Sequence, residues 1–190
     1  NTVNVSEAIK CSEELKIRVE KLGNIEFLIV FYYNFFMACF YSGDYRKALH
    51  CINKILNTQQ TEVRQDAFSA AKLNNILVHY ELGNMELLPG LCRSTYNYLE
   101  RKGQLNKTEN LLLNFFSKTV NKTITAKGKI KAFSELKKEL VSVTSDPREK
   151  KALNYFDFIA WTESKIENRP FVEIVLLRSR AKDEAKEKAK

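Results

Sequence analysis

A chain of 190 residues fits one domain or one continuous repeat array. Six Gly and three Pro argue against a turn-rich β architecture and for long helices, and 44% apolar residues provide for a sizeable core. The net charge of +8 favours a partner that is acidic where it docks.

Val5, Ala8, Ile9, Leu15 and Val19, with charges between them, predict a first helix over 4–22 with a narrow apolar stripe. Gly23 suits its C′ position, and Asn24 can cap the next helix. The stretch 27–45, FLIVFYYNFFMACFYSGDY, holds nine of the 21 aromatic residues. A helix over 25–42 is therefore apolar nearly all round, and it is expected to be the central helix, buried on most sides. Its apolar run, with Asn34 in the middle, is shorter than the roughly 20 residues that cross a bilayer, so no membrane span is expected. Gly43 ends it. The run 45–56 places Ala48, Leu49, Ile52, Ile55 and Leu56 on one face, and it should pack back antiparallel.

Residues 57–60 are polar, and Thr61 can cap a helix over 63–82 that carries Ala67, Ala70, Ala71, Leu73, Asn74, Leu77, Val78 and Leu82. Gly83-Asn84 breaks it. The next helix, 85–102, has Leu87, Leu88, Leu91, Cys92, Tyr96 and Leu99, with Pro89 near its first turn and Gly103 at its end. A shorter helix over 108–120 carries Leu112, Phe115, Phe116 and Thr119, and a Thr- and Lys-rich loop over 121–128 comes after it. Ile130, Phe133, Leu136, Leu140 and Val143 mark a helix face over 130–143. Asp146-Pro147-Arg148-Glu149 is the clearest start signal, with N-cap, Pro at N1 and a capping-box Glu. It predicts a helix to 168 that buries Leu153, Phe156, Ile159, Ala160 and Trp161. Pro170 starts the last helix, with Phe171, Val172, Ile174, Val175 and Leu176, and a frayed solvated end is expected from Arg178 on.

Breaks at Gly43, Gly83, Gly128 and Arg169 are spaced by 40, 45 and 41 residues. Such a period predicts an all-α superhelix, an α-solenoid of about four antiparallel hairpins. It is read as a single helical-repeat domain over 1–180, with an N-terminal helix 4–22, pairs at 25–57, 61–102, 107–143 and 147–180, and a charged tail 181–190. The first unit carries Gly43 at its turn, Asp44 and Tyr45 directly after it, and Ala48 and Ile52 along the second helix. There the chain resembles the tetratricopeptide repeat family, which puts its turn Gly, the following Asp and Tyr, the small Ala and the large packing residue of the second helix at these places. Phe35 and Ala38 approximate the positions of the first helix. In the second unit Gly83 and Asn84 fit, while Leu88 stands where Ala is expected and Ile76 where a small residue is. The whole resembles the C-terminal helical region of a longer bacterial protein, in keeping with a start at Asn1 rather than Met.

The resemblance implies stacked hairpins whose first helices line a concave surface. Tyr33, Asn34, Met37 and Tyr41 would then face the groove in the first unit, and Leu73, Asn74, Leu77 and Glu81 in the second. Asn34 and Asn74 each stand nine residues before a turn Gly. A carboxamide offers donor and acceptor to a peptide backbone, so the implied partner is a protein, presenting an extended peptide or a helix. The family's carboxylate clamp has Val30 and Ala70 at places where Lys or Arg would stand. In the blander alternative, both Asn side chains bond between helices.

No other pattern points to catalysis or to a cofactor. No Gly-rich phosphate loop, HExxH or GxSxG is present, and the four cysteines form no CxxC. Cys39, Cys51 and Cys92 sit in apolar helical contexts as small hydrophobes, and a reducing cytoplasm is the expected compartment. His50 and Cys51 are adjacent on a helix and point apart. His79 stands alone, and Glu163 and Glu167 read as a surface pair. A non-enzymatic scaffold is thus the expectation. The alternative uses the basic segment 118–151, where ten Lys or Arg face four acids. Its Lys127, Lys129, Lys131, Lys137 and Lys138 would make a footprint for nucleic acid.

Overall fold

The computed structural model describes residues 4–58, 64–119 and 125–188, and all regular structure among them is helical. The chain divides into two compact units, residues 1–121 and 122–190. The first holds α1 (Val5–Leu22), α2 (Ile25–Tyr41), α3 (Tyr45–Leu56), α4 (Gln65–Glu81), a 3-10 turn (Met85–Leu87), α5 (Leu88–Arg101) and α6 (Lys107–Thr119). The second holds α7 (Ala126–Val143), a 3-10 segment (Glu149–Asn154), α8 (Phe158–Glu167) and α9 (Phe171–Lys188). The division falls inside the pair expected over 107–143, whose two helices belong to different units.

In the first unit, sequence neighbours pack on one another: α1 on α2, α2 on α3, α3 on α4, α4 on α5, and α5 on α6. Local signals set these joints. Asn24 accepts a hydrogen bond from the Phe27 N–H at 3.1 Å and caps α2. Gly43 (φ 76°) and Gly83 (φ 78°) occupy the left-handed region, which costs a residue with a Cβ and suits Gly. The two turns are alike bond for bond. Asp44 N–H donates to the Cys39 carbonyl at 2.9 Å, and Asn84 N–H to that of His79 at 3.0 Å. They differ afterwards. Asp44 caps α3 through the Lys47 N–H at 3.0 Å, whereas after Asn84 the chain makes a 3-10 turn before α5, which carries Pro in its opening positions.

Contrary to expectation, α2 is not the most enclosed helix. Six of its 17 residues are buried, against eleven of 17 in α4. Packing against α3 and α5, and also against α2 and α6, surrounds α4. Its Ala67, Ala70 and Ala71 let those neighbours come close. The Thr61 cap expected for α4 lies outside the described residues, and α4 begins at Gln65 behind Arg64, whose φ is 58°.

The second unit packs α7 on α8 and α8 on α9. Phe133 meets Trp161 edge-on at 5.4 Å, and Phe156 stacks on Phe171 at 5.2 Å. Three expectations fail here. Gly128 is no break: it lies in the first turn of α7, where its N–H donates to Thr125 Oγ1 at 3.2 Å. No α-helix starts at Pro147. Asp146 turns its carboxylate to the Arg148 N–H and guanidinium, each at 2.9 Å, and α8 begins at Phe158 with Asp157 as its cap. The physical reason is that Phe156 and Phe158 are both buried, with their rings 4.9 Å apart. Residues two apart on one α-helix point roughly 200° apart, so the chain breaks to bring both rings into one core. Finally, α9 runs on to Lys188. Arg178, read as the start of a solvated end, is half-buried and donates to Glu163 at 2.8 Å.

Candidate interaction surface

The open face of α2 is the feature of the first unit that the core does not absorb. Phe27, Val30, Asn34, Met37 and Tyr41 recur at 3-4 spacing, which is one face of a helix. Phe27 is 63% exposed and Val30 39%. Asn34 is exposed, and Met37 and Tyr41 are half-buried. The opposite face buries Ile29, Tyr32, Phe35, Phe36, Cys39 and Phe40. The one charge on the helix is Glu26, in its first turn. On α1, Ile17 and Leu22 are exposed as well.

Charges hold α1 in place. Glu20 receives the Tyr32 hydroxyl at 2.5 Å and Lys54 Nζ at 3.0 Å, and Lys47 Nζ reaches Glu13 at 2.8 Å. The Tyr32 hydrogen bond, then that of Lys54, lowers the Glu20 pKa. Burial first, and Glu20 second, push the Tyr32 phenol well above its ordinary value.

The sequence-predicted groove positions part company here. Asn34 and Tyr33 lie on or beside the open face of α2, but Asn74 is only 1% exposed. Its Nδ2 donates to the Tyr33 hydroxyl at 2.6 Å and ties α4 to α2. Leu73 and Leu77 are buried in the core. Glu81 is half-buried and hydrogen-bonds Tyr45, whose pKa is pushed up to about 12 by burial first and by Glu81 second. The expectation that Asn74 and Leu77 line an open surface is thus corrected, because α4 has neighbours where α2 has solvent. Sequence reasoning missed Phe27, and it marked Val30 only as standing where a clamp Lys or Arg would be. Their 3-4 spacing with Asn34 was visible, but α2 is apolar on its buried face too, so the pattern alone marked no side as open.

The remaining candidates are structural. Cys51 is buried, and a hydrogen bond with Cys39 and burial hold its thiol protonated, the reverse of an activated nucleophile. His79 Nδ1 accepts from Asn84 Nδ2 at 3.0 Å and steadies the Gly83 turn. Glu163 is no surface residue: it takes Lys137 and Arg178, each at 2.8 Å, in the second unit. Burial raises its pKa, but the hydrogen bonds from Lys137 and Arg178 outweigh that and lower it. Of the basic residues, Lys127, Lys129, Lys131 and Lys138 are exposed. Among the described residues no three His, Cys, Asp or Glu side chains converge as metal ligands, and no helix is long and apolar enough to cross a membrane.

Comparison with known proteins gives no match: no family model, no curated protein and no solved structure resembles the chain significantly.

Proposed function

We propose that this chain is a non-catalytic protein-interaction scaffold that takes a helix or extended peptide of a partner along the open face of α2. The observation that carries the reading is a helix apolar on both sides with one side uncovered. A helix hydrophobic all round is normally buried on all sides, and a contiguous exposed apolar strip marks an interaction surface. Asn34 adds a donor and an acceptor in the middle of the strip. A lone Asn in an apolar seam sets the register of an incoming helix, at some expense in stability.

The matching turns at Gly43 and Gly83 support kinship between the α2–α3 and α4–α5 hairpins. That kinship favours a tetratricopeptide-like α-solenoid as the architecture. Buried free cysteines suit a reducing, cytoplasmic setting.

The test is a photo-cross-linking amino acid placed at Asn34 and, as control, at exposed Asn97. A discrete protein adduct is expected from position 34 only, and Phe27→Asp with Val30→Asp should abolish it without lowering Tm. No adduct, or the same adducts from both positions, sinks the reading.

A further inference from the structure

The second unit carries an open surface of a different character. On α7, Lys127, Ile130, Lys131, Ser134, Lys138 and Val141 recur at 3-4 spacing and share one face. The core of the unit uses the opposite face, through Phe133, Leu136 and Leu140. Ile130 is 46% exposed and Val141 51%. Beside Val141 lies a hollow of about 500 Å³ lined by Ser134, Lys137, Lys138, Val141, Ser142 and, from α8, Ile166. Lys137 is held by Glu163, and Lys131 lies 4.0 Å from Glu135. Among the described residues neither Lys127 nor Lys138 joins an ion pair. The surface is therefore a mostly apolar hollow beside Lys137 and Lys138, at one end of a helix face that carries Lys131 and Lys127 toward its start and whose charge is only partly answered.

We propose that the hollow between α7 and α8 docks an acidic amphipathic helix of another protein. One of its apolar side chains enters beside Val141 and Ile166, and its carboxylates meet Lys127, Lys131 and Lys138. The charge pattern selects the partner. A basic or neutral helix leaves the lysines unanswered, whereas a helix with an apolar anchor at one end and carboxylates spaced along the rest satisfies the hollow and the lysines together. Nucleic acid fits less well. Its phosphates would answer the lysines, but of the unit's described aromatics Phe133, Phe156, Phe158, Trp161 and Phe171 are buried and only Tyr155 is half-buried, which leaves little on which bases could stack. A lipid surface fits less well again, because α7 turns Phe133, Leu136 and Leu140 into the unit, while an interfacial helix needs such residues outward.

The experiment uses the full chain and a fluorescent synthetic helix of Glu, Ala and Leu with Leu at 3-4 spacing. A scrambled peptide of the same composition, a random DNA duplex and phosphatidylserine vesicles serve as comparison probes. The amphipathic peptide is expected to bind more tightly than its scramble, and to weaken as salt rises from about 50 to about 300 mM. Lys138→Glu with Lys131→Glu, both surface changes, should weaken it on the order of ten-fold. Val141→Ser should weaken it with the charge unchanged, and circular dichroism checks that each variant is folded. Equal binding of the scramble overturns the proposal, as does no binding, or binding of duplex or vesicles alone. Phe27→Asp with Val30→Asp should leave the affinity unaltered; if that pair abolishes binding, the peptide sits on α2 and this surface is not its site.

Discussion

α2 and α4 are both 17-residue helices that open a hairpin, yet their burial runs against their composition. α2 is built almost wholly from large apolar side chains and leaves one face to solvent. α4 mixes Ala, Ser and Asn with its apolar residues and is enclosed almost all round. What a helix buries is set by how many neighbours the chain wraps about it. Small side chains let those neighbours approach, since interiors are packed to near-crystalline density. Large apolar side chains beyond what the fold can cover remain exposed, and that surplus on α2 is the basis of the functional proposal.

The contrast is easiest to break by deletion. Leu77→Ala in α4 is expected to cost about 2–5 kcal/mol by urea denaturation, while Phe27→Ala in α2 should stay within about 0.5 kcal/mol. Similar losses would mean that the open face of α2 is covered in solution. The two asparagines sharpen the comparison at smaller scale. Asn74→Ala removes a buried side chain and its bond to the Tyr33 hydroxyl and should cost about 1–3 kcal/mol, whereas Asn34→Ala should change stability by less than about 0.5 kcal/mol.

A pH titration probes the end of α4. With Asn84 Nδ2 donating, His79 Nδ1 is the unprotonated nitrogen, and burial lowers the pKa against a weaker opposing pull from Glu86. The unfolded chain protonates near the ordinary 6.5, so it binds protons that the folded chain resists. The His79 contribution is intact above pH 6.5 and is lost as pH falls from there toward the depressed folded value. His50 is also lowered, by burial first, so the measurement compares the parent with His79→Gln. The variant should show a shallower loss of stability between about pH 6.5 and about pH 5. An unchanged slope would place His79 outside the fold's proton linkage. The smallest effect is expected on α1, where Lys54→Ala removes one partly exposed ion pair and should cost no more than about 1 kcal/mol in a thermal melt.

Local features were legible because they depend on a few neighbouring residues. Gly23, Asn24 and Gly43 mark their helix ends in the sequence and mark them in the structure. The face of α3 formed by Ala48, Ile52 and Ile55 was legible because the other side of that helix is polar. Signals that compete with distant packing failed. The capping pattern at Asp146 lost to the need to bury Phe156 and Phe158 together, and Arg178 looked like tail because its partner Glu163 lies on another helix. The site was half legible. Asn34 and Asn74 have the same spacing from a turn Gly, and one is exposed while the other is bonded inside, a difference written in the neighbours of each helix rather than in either helix.

The sequence by itself determined that the chain is helical, where most of its helices turn, and that more apolar surface exists than a narrow core stripe requires. Helical period, caps and left-handed Gly turns act over a few residues, so no tertiary context is needed to read them. Only the tertiary structure decided that α4 rather than α2 is enclosed, that residues 107–143 do not form one hairpin within one unit, and that Asn74 bonds Tyr33 while Asn34 meets solvent. Those outcomes depend on which helices come together across the chain, and residues with the same local pattern take opposite roles according to what packs against them.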